Sequence, residues 1–306
     1  MATSRENIQF SQGHAFRLLR WTEEIRQVEE ILEPGDAISL QGRGDQWHYH
    51  PQTELTLVQV GEGTRYIADH IELFQPGDLV LIGSNVPHYW HVRGKSSGLA
   101  IQWLFPEEHG IWDFSEAASL RTLEEQARKG LHLSGHTATK VRDLMETMHQ
   151  HAGFTKLTHL LSIISTLIQA PGTELRSLST RPFSLSGSDE HQEIIRRAVS
   201  YIIAHYREPI RLDTLLDLTG MSRATFARQF QLHAGRSFST FLNQVRLQAV
   251  CRALRDTTDP ITNIALENGF NQLSFFNRLF RREFRMNPSA YRKANHTRQA
   301  RPCLFP

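Results

Sequence analysis

The chain has 306 residues, 40% hydrophobic and 22% charged, a composition ordinary for a globular protein and long enough for two separately cored domains. It has no run of about 18 apolar residues, so no membrane partner is expected. Met1–Phe10 lacks the basic start and apolar stretch of a signal peptide, which points to the cytoplasm. The net charge of +2 conceals an asymmetry: residues 190–306 carry 18 Lys plus Arg against 9 Asp plus Glu, and the remainder 16 against 23. Only one part of the chain is therefore built to meet a polyanion. Lys293 is the one lysine of that basic part, and arginine suits bidentate contact to phosphate or guanine. Cys251 and Cys303 follow no metal or redox spacing and read as free thiols in a reducing compartment.

In chain order, residues 1–114 form the first predicted domain. Between about residues 8 and 106, short apolar runs (AISLQ, ELTLVQV, GTRYIA, HIELF, DLVLIG, LAIQWLF) are broken by Gly, Pro and Asp. That pattern predicts a small antiparallel sandwich or barrel. Within it stands Gly42, five residues, His48-Tyr-His50-Pro-Gln-Thr-Glu54, six residues, Gly61, followed by Pro76-Gly-Asp78 and Pro87-His88. Two histidines two apart on one strand point the same way. Joined inside a barrel by Glu54 and by His88 from a later strand, they make a donor set suited to Zn, Fe, Mn or Ni. Trp90, two residues after His88, shares its face on a regular strand. Trp47, Tyr49, His91 and Trp103 lie near the same places, and Arg65 is a further polar candidate. Aromatic and polar groups around a concavity suit a sugar or another small polar molecule, and barrel core accounts for them equally.

This spacing resembles the cupin superfamily over about residues 30–105, specifically in the first motif and only at Pro76, Gly77 and His88 in the second. The resemblance implies a barrel and leaves its occupant open. Either His48, His50, Glu54 and His88 hold a divalent metal, or His48, His50, Glu54, Arg65, His88 and Trp90 bind an organic effector, as in sensor cupins that hold no metal.

Residues 115–170 change to a helical period, with Leu120, Leu123 and Ala127, then Val141, Leu144, Met145 and Met148. Leu157–Ile168 is apolar around much of its circumference and needs burial on more than one side, within the domain or in a dimer interface. Residues 171–189 are rich in Pro, Gly, Ser and Thr and read as a linker.

Residues 190–295 read as helix throughout, with 296–306 a tail. Leu212 to Gly220 predicts a short helix stopped by glycine, and Ser222 caps a second, Arg223 to Gln231. The arrangement recurs 49 residues later: Asp259 caps, Pro260 opens a helix, Gly269 turns, and Gln272 to Phe284 follows. Phe276, Phe280 and Arg278 repeat Phe226, Phe230 and Arg228, and a helix from about Thr240 to Leu254 separates the units. This segment resembles the AraC/XylS regulators at Ser222–Phe230, Ile264–Phe270, Phe275–Phe280 and Pro288–Arg292, over about residues 193–293. Leu216 stands where a small residue is usual in that family, and Arg285 where glycine is.

The resemblance implies two recognition helices in successive major grooves of double-stranded DNA. Carried over by position, Ala224, Ala227, Arg228, Leu273, Asn277 and Arg278 face base edges; Arg228 and Arg278 suit guanine and Asn277 adenine. Arg223, Gln272, Ser274, Arg281 and Arg282 suit phosphates. The expected fold is two-domain α+β: a cupin-like barrel with a helical dimerisation or linker segment, then an all-α domain with two helix-turn-helix units. The expected function is a homodimeric transcription regulator, an activator working with RNA polymerase, controlled by a small polar effector and not an enzyme. The alternatives are a metal-dependent cupin enzyme and a direct metal sensor, both built on His48, His50, Glu54 and His88.

Overall fold

The computed structural model describes residues 8, 15–183, 185 and 191–299. The chain forms two compact units, residues 1–196 and 197–306.

The first unit is built on strands β1 (Phe16–Trp21), β2 (Gln27–Glu33), β3 (Asp36–Gln41), β4 (Thr53–Ile67), β5 (His70–Phe74), β6 (Leu79–Ile82) and β7 (His88–Trp103). The runs ELTLVQV and GTRYIA are not two strands but the halves of β4. It pairs antiparallel with β7 from Thr53↔Trp103 to Ile67↔His88, with register shifts on either side of Val60. Gly61 lies at that bend with φ +106°, and a Cβ there would come 2.8 Å from the Ser96 Cβ. The first half of β4 also pairs with β6, the second with β5, while β7 pairs with β1 and so extends the sheet to β2 and β3.

Strand alternation sends side chains to two different places. Leu18, Leu55, Leu57, Leu79, Leu81, Leu99, Ile101 and Trp103 form the outer face, which packs on helices. Leu19, Trp21, Val58, Val80, Ile82, Trp90 and Ala100 point inward. The helices are α1 (Ala118–Ala127), α2 (Gly135–Met148) and α3 (Gly153–Ile168), which contribute Leu120, Leu123, Val141, Met145, Leu160, Ile163 and Leu167. Each aliphatic side chain fully buried there contributes about 1.5–3 kcal/mol. One side of α3 remains open, with Phe154 77% and Leu161 41% exposed.

Two expectations need correction. A strand, β8 (Leu131–Leu133), interrupts the helical segment and pairs with β6. Residues 171–183 are part of this unit: β9 (Leu175–Ser177) pairs with β8, and Leu178 and Phe183 are buried, as is Leu185. The Glu174 carboxylate accepts from the amides of His136 (3.1 Å) and Thr137 (2.8 Å) at the start of α2. The Ser/Thr-rich composition hid a strand that covers the open edge of β8. The rest of the expected linker (184, 186–189) lies outside the described residues.

The second unit is helical: α4 (Gln192–His205), α5 (Leu212–Thr219), α6 (Arg223–Ala234), α7 (Phe238–Asp256), α8 (Ile261–Glu267), α9 (Leu273–Phe284) and α10 (Pro288–Gln299). Gly220 ends α5 in the left-handed conformation, and the Ser222 hydroxyl accepts from Thr225 N–H at 3.3 Å to start α6. Pro260 caps α8 from outside, one residue earlier than its expected place in the first turn. Phe226, Phe230, Phe241, Phe276 and Phe280 are fully buried, with the Phe226–Phe230 rings 5.3 Å apart. Cys251 is buried with them and its thiol is pushed up to about 12 by burial, so it packs as a small apolar group. Of the expected tail, 296–299 continue α10, and 300–306, with Cys303, lie outside the described residues.

Arg285 ends α9 at φ +56°, the conformation that glycine adopts without strain. A side chain there costs roughly 1–2 kcal/mol, offset by about 0.5–1 kcal/mol of extra freedom that glycine has in the unfolded chain. Arg285→Gly should stabilise this unit by about 0.5–1 kcal/mol, read as a higher urea midpoint; a lower midpoint would mean that the arginine makes a compensating contact.

Candidate functional site

His48 forms an isolated bridge with His88 rather than part of a regular strand, and His50 follows two residues later: His48 N–H donates to His88 O (3.2 Å) and His88 N–H to His48 O (2.9 Å). That bridge brings the three imidazoles together, with ring centroids 4.2–5.7 Å apart. Each ring turns its Nδ1 to a main-chain carbonyl: His48 to Gln46 (2.8 Å), His50 to Gln52 (3.1 Å), His88 to Val86 (2.8 Å). A ring whose Nδ1 carries the proton presents Nε2 as a lone pair, as His88 can, whereas His50 Nε2 faces Glu54 Oε2 at 3.1 Å. One ligand atom from each ring lies within 4.8 Å of the others, and His88 Nε2 is buried without a hydrogen-bond partner. Two nitrogens on a common ion stand about 3–4 Å apart given bonds near 2.1 Å, so a small inward movement closes the set. The residues fit a divalent metal. Burial, with the neighbouring imidazoles, holds His48 well below the usual histidine range, and burial takes His88 down to about 4, so both are neutral near pH 7.

Glu54 is placed differently from the simplest four-ligand expectation. Its Oε2 accepts from Gln102 Nε2 (2.5 Å) and lies 3.1 Å from His50 Nε2, while Oε1 accepts from Thr56 (2.5 Å). Burial raises the carboxyl, but the His50 hydrogen bond and the nearby imidazoles carry it well below the usual range. The carboxylate therefore joins the histidines to a polar strip on β4 and β7.

That strip faces a cavity of about 470 Å³. Arg17, His48, Glu54, Thr56 and Gln102 give its lining a polar part, and Leu19, Trp21, Ile25, Val28, Leu40 and Trp90 an apolar and aromatic one. Arg17 Nε donates to Gln102 Oε1 at 2.6 Å. Trp90 is 1% exposed, with its indole N–H unpartnered. Sequence reasoning missed Arg17, Thr56 and Gln102. The available signal was alternation: Thr56 shares the face of Glu54, and Gln102 is the polar residue in the otherwise apolar run LAIQWLF.

Arg65 is the correction. It lies outside the cavity lining, held by Asp78 (3.0 Å) and Glu72 (2.9 Å), and Glu72 also pairs with Arg176 on β9 (2.7 Å). Its charge is a structural one that ties β4, β5 and β9 together. Trp103 faces the helices, Trp47 and Tyr49 are buried, and the His91 side chain is exposed.

In the second unit, Arg223, Ala224, Ala227 and Arg228 are exposed along α6, opposite Phe226 and Phe230. Gln272, Ser274, Asn277, Arg278, Arg281 and Arg282 are exposed on or just before α9, and Leu273 is half-buried. The Arg278 guanidinium sits 5.7 Å from the centre of the Phe275 ring. Two of the phosphate candidates have acidic neighbours: Arg282 pairs with Glu283 (2.9 Å), and Arg223 approaches Asp213 (3.5 Å).

Comparison with known proteins gives two family matches, a helix-turn-helix domain over residues 215–294 and a cupin domain over 28–104. The regulatory protein SoxS of Salmonella typhimurium is 33% identical over 102 residues, 33% of this chain and 95% of that protein. The chain belongs to the AraC/XylS family. The transcriptional activator RhaS of an Enterobacter species is 26% identical over 256 residues, 80% of this chain and 87% of the relative. Among solved structures, a probable AraC family regulator from Rhodopseudomonas palustris is 34% identical, covering 36% of this chain and 99% of that one, with a TM-score of 0.31. This AraC-family chain is thus a DNA-binding transcription regulator and not an enzyme. No helix among its described residues is long and apolar enough to cross a membrane.

The Arg65 network gives a pH dependence. Burial raises the Glu72 carboxyl, but Arg65 and Arg176 outweigh it and bring it from 4.5 down to about 2. A carboxylate depressed in the folded state stabilises fully above its unfolded value; that contribution is lost as pH falls from 4.5 toward 2. The urea midpoint of the barrel unit should drop across this window, and Glu72→Gln should flatten the drop; an equal slope in the variant would remove Glu72 from the acid response.

Proposed function

We propose that the chain is a ligand-controlled transcription activator, with a small polar effector bound in the barrel cavity and two recognition helices, α6 and α9, on DNA. The observation that carries the sensor half is the cavity with its buried polar strip; a barrel serving only as scaffold gains nothing from burying Arg17, Glu54 and Gln102. Activation is supported by similarity to RhaS, whose name records it. Control requires that the effector bind the DNA-competent and incompetent states with different affinity. The exposed Phe154 and Leu161 on α3 support pairing of two chains through that helix. The setting of this activity is the cytoplasm, with RNA polymerase as the downstream partner.

On DNA, Arg228 and Arg278 read guanine, Asn277 adenine, and Ala224, Ala227 and Leu273 touch thymine methyls. Arg223, Gln272, Ser274, Arg281 and Arg282 position the phosphates. Arg278→Ala should weaken binding to an operator selected in vitro by about 1–3 kcal/mol in a gel-shift titration and relax the preference at one base pair. Unchanged affinity and unchanged preference would remove Arg278 from the reading surface.

A metal reading is favoured by the orphaned His88 Nε2 and the three outward-turned Nδ1 atoms. His48, His50 and His88 would hold the ion, with Glu54 beside them, and a bound ion supplies a Lewis-acidic anchor for an oxygen of the effector. One equivalent of Zn, Fe, Mn or Ni should remain per chain after dialysis and fall to near zero in His88→Ala, measured by elemental analysis. Equal retention by wild type and variant would exclude the cluster. If the ion itself is the signal, adding it should change DNA affinity in the wild type and leave a His50→Ala variant blind.

A further inference from the structure

We propose that Glu283 is a positioning residue for DNA recognition: anchored by Gln244 of α7, it holds Arg282 of α9 in one orientation toward a backbone phosphate. This rests on the reading of α9 as a helix that docks on DNA and specifies how one of its arginines is used.

Glu283 is the one acid on α9, a helix with three arginines, Arg278, Arg281 and Arg282. Arg282 is the one it engages: the Nε (3.0 Å) and Nη2 (2.9 Å) of that side chain both donate to Glu283 Oε1. The second carboxylate oxygen is taken as well, since Gln244 Nε2 donates to Glu283 Oε2 at 2.9 Å. Glu283 therefore ties α9 to α7, the long helix that separates the two helix-turn-helix units in the chain. Its side chain is 27% exposed while that of Arg282 is 65% exposed, so the anchor is half-covered and the cation it holds stays open to a partner.

A carboxylate on a face that meets phosphates opposes binding by its charge. It adds little to folding, because an exposed ion pair contributes little to stability. Its effect is on geometry. Two donors on one edge fix the plane of a guanidinium; three of its five N–H groups stay free, and Nη1 and Nη2 still offer the end-on fork that matches a phosphate. A mobile arginine reaches phosphates in any docking of the helix, whereas a held one reaches its phosphate only when α9 sits in one register. Phosphate contacts carry no sequence information by themselves, but a contact confined to one register favours the seated complex over the sliding one. Ordering the side chain in advance also removes part of the entropy lost on contact.

The first unit lacks this arrangement. With Phe226, Arg228 and Phe230 matched to Phe276, Arg278 and Phe280, the places of Arg282 and Glu283 fall to Leu232 and His233. Leu232 is 47% exposed and His233 is buried. Of the two recognition helices, α9 is the one that carries the device, and it also exposes Asn277, Arg278 and Arg281.

The test is a gel-shift titration of the full-length protein on an operator selected in vitro and on a scrambled duplex of equal length and base composition, at one salt concentration. Specificity is the ratio of the two affinities. Glu283→Ala should lower that ratio by roughly three- to tenfold, the effect of having to order one long side chain on contact. Glu283→Gln removes the charge but keeps a carbonyl oxygen for Arg282, and should bring the ratio back to within about twofold of the wild type. In an Arg282→Ala background, Glu283→Ala should change the ratio no further. Gln244→Ala should act in the same direction as Glu283→Ala; urea midpoints are run alongside, and Gln244→Ala decides if Glu283→Ala does not fold. Equal effects of Glu283→Ala and Glu283→Gln would reduce Glu283 to a charge that repels DNA and overturn the proposal. So would an unchanged ratio in Glu283→Ala, or a loss that persists without Arg282. Arg278→Ala is the control: if it too leaves operator binding unchanged, the reading of α9 on DNA fails with the proposal. If Arg278→Ala weakens binding while Glu283→Ala has no effect, the proposal alone fails.

Discussion

The first unit depends on a sheet that is buried on both faces, with an apolar outer face and an inner face that carries a polar strip among its apolar side chains. Along β4 the residues Glu54-Leu55-Thr56-Leu57 send leucines outward to α1–α3 and polar groups inward, and β7 does the same with Ala100, Ile101 and Gln102. A polar face sealed from water is expensive unless every group is paired. Here the pairs run in sequence from Thr56 to Glu54 to Gln102 to Arg17, with His50 beside Glu54. Two atoms that face the interior stand outside this chain, His88 Nε2 and Trp90 Nε1. The same polar strip that shapes the cavity therefore marks where a second molecule is needed to complete it.

Much of this was legible in the residues, and the failures share a cause. The histidines, Glu54 and Trp90 could be placed together because two-residue spacing fixes the face of a strand. Arg17 and Gln102 were invisible because their meeting depends on the register Arg17↔Gln102 between β1 and β7, strands separated by 85 positions in the chain. Arg65 was misplaced for the converse reason. Its spacing allowed an inward side chain, but the partners that claim it, Glu72 and Asp78, come from the hairpin and turn that follow. Residues 171–183 misled by composition: Leu175, Leu178 and Phe183 are scattered among Ser, Thr and Pro, yet those few apolar groups suffice to add a strand.

In the second unit the reverse holds. Helix starts and stops are local events, so Gly220, Ser222 and Gly269 placed the elements within a few residues without knowledge of the tertiary fold. Gly269 carries a further constraint, since a Cβ there would lie 2.7 Å from both Arg246 Nε and Tyr206 O. Arg246 donates to Tyr206 O (2.7 Å) and Glu208 O (2.8 Å), which ties the end of α4 to α7 beside the second turn. The two helix faces proposed to read DNA differ in chemistry: α6 exposes two alanines with Arg223 and Arg228, whereas α9 exposes Asn277, Arg278, Arg281 and Arg282. Hydrogen-bonding capacity is therefore concentrated on α9, the face that can discriminate more base pairs.

The barrel also has a route by which its contents can be felt outside it. The β2–β3 hairpin contributes Val28, Leu40 and Gln41 to the cavity wall. On the same hairpin, the main-chain oxygens of Ile31 and Leu32 accept from Lys156 Nζ, an ammonium on α3 that is 8% exposed. Burial lowers the Lys156 ammonium, so these carbonyls matter to it: a cation out of water requires its acceptors in place. Val28 and Leu40 thus stand on a hairpin to which α3 is attached by a charge that cannot be left unsolvated. The helix so attached is the one with Phe154 and Leu161 exposed. The cavity wall and the helix with the exposed apolar face are thereby joined within one unit, with Lys156 as the link.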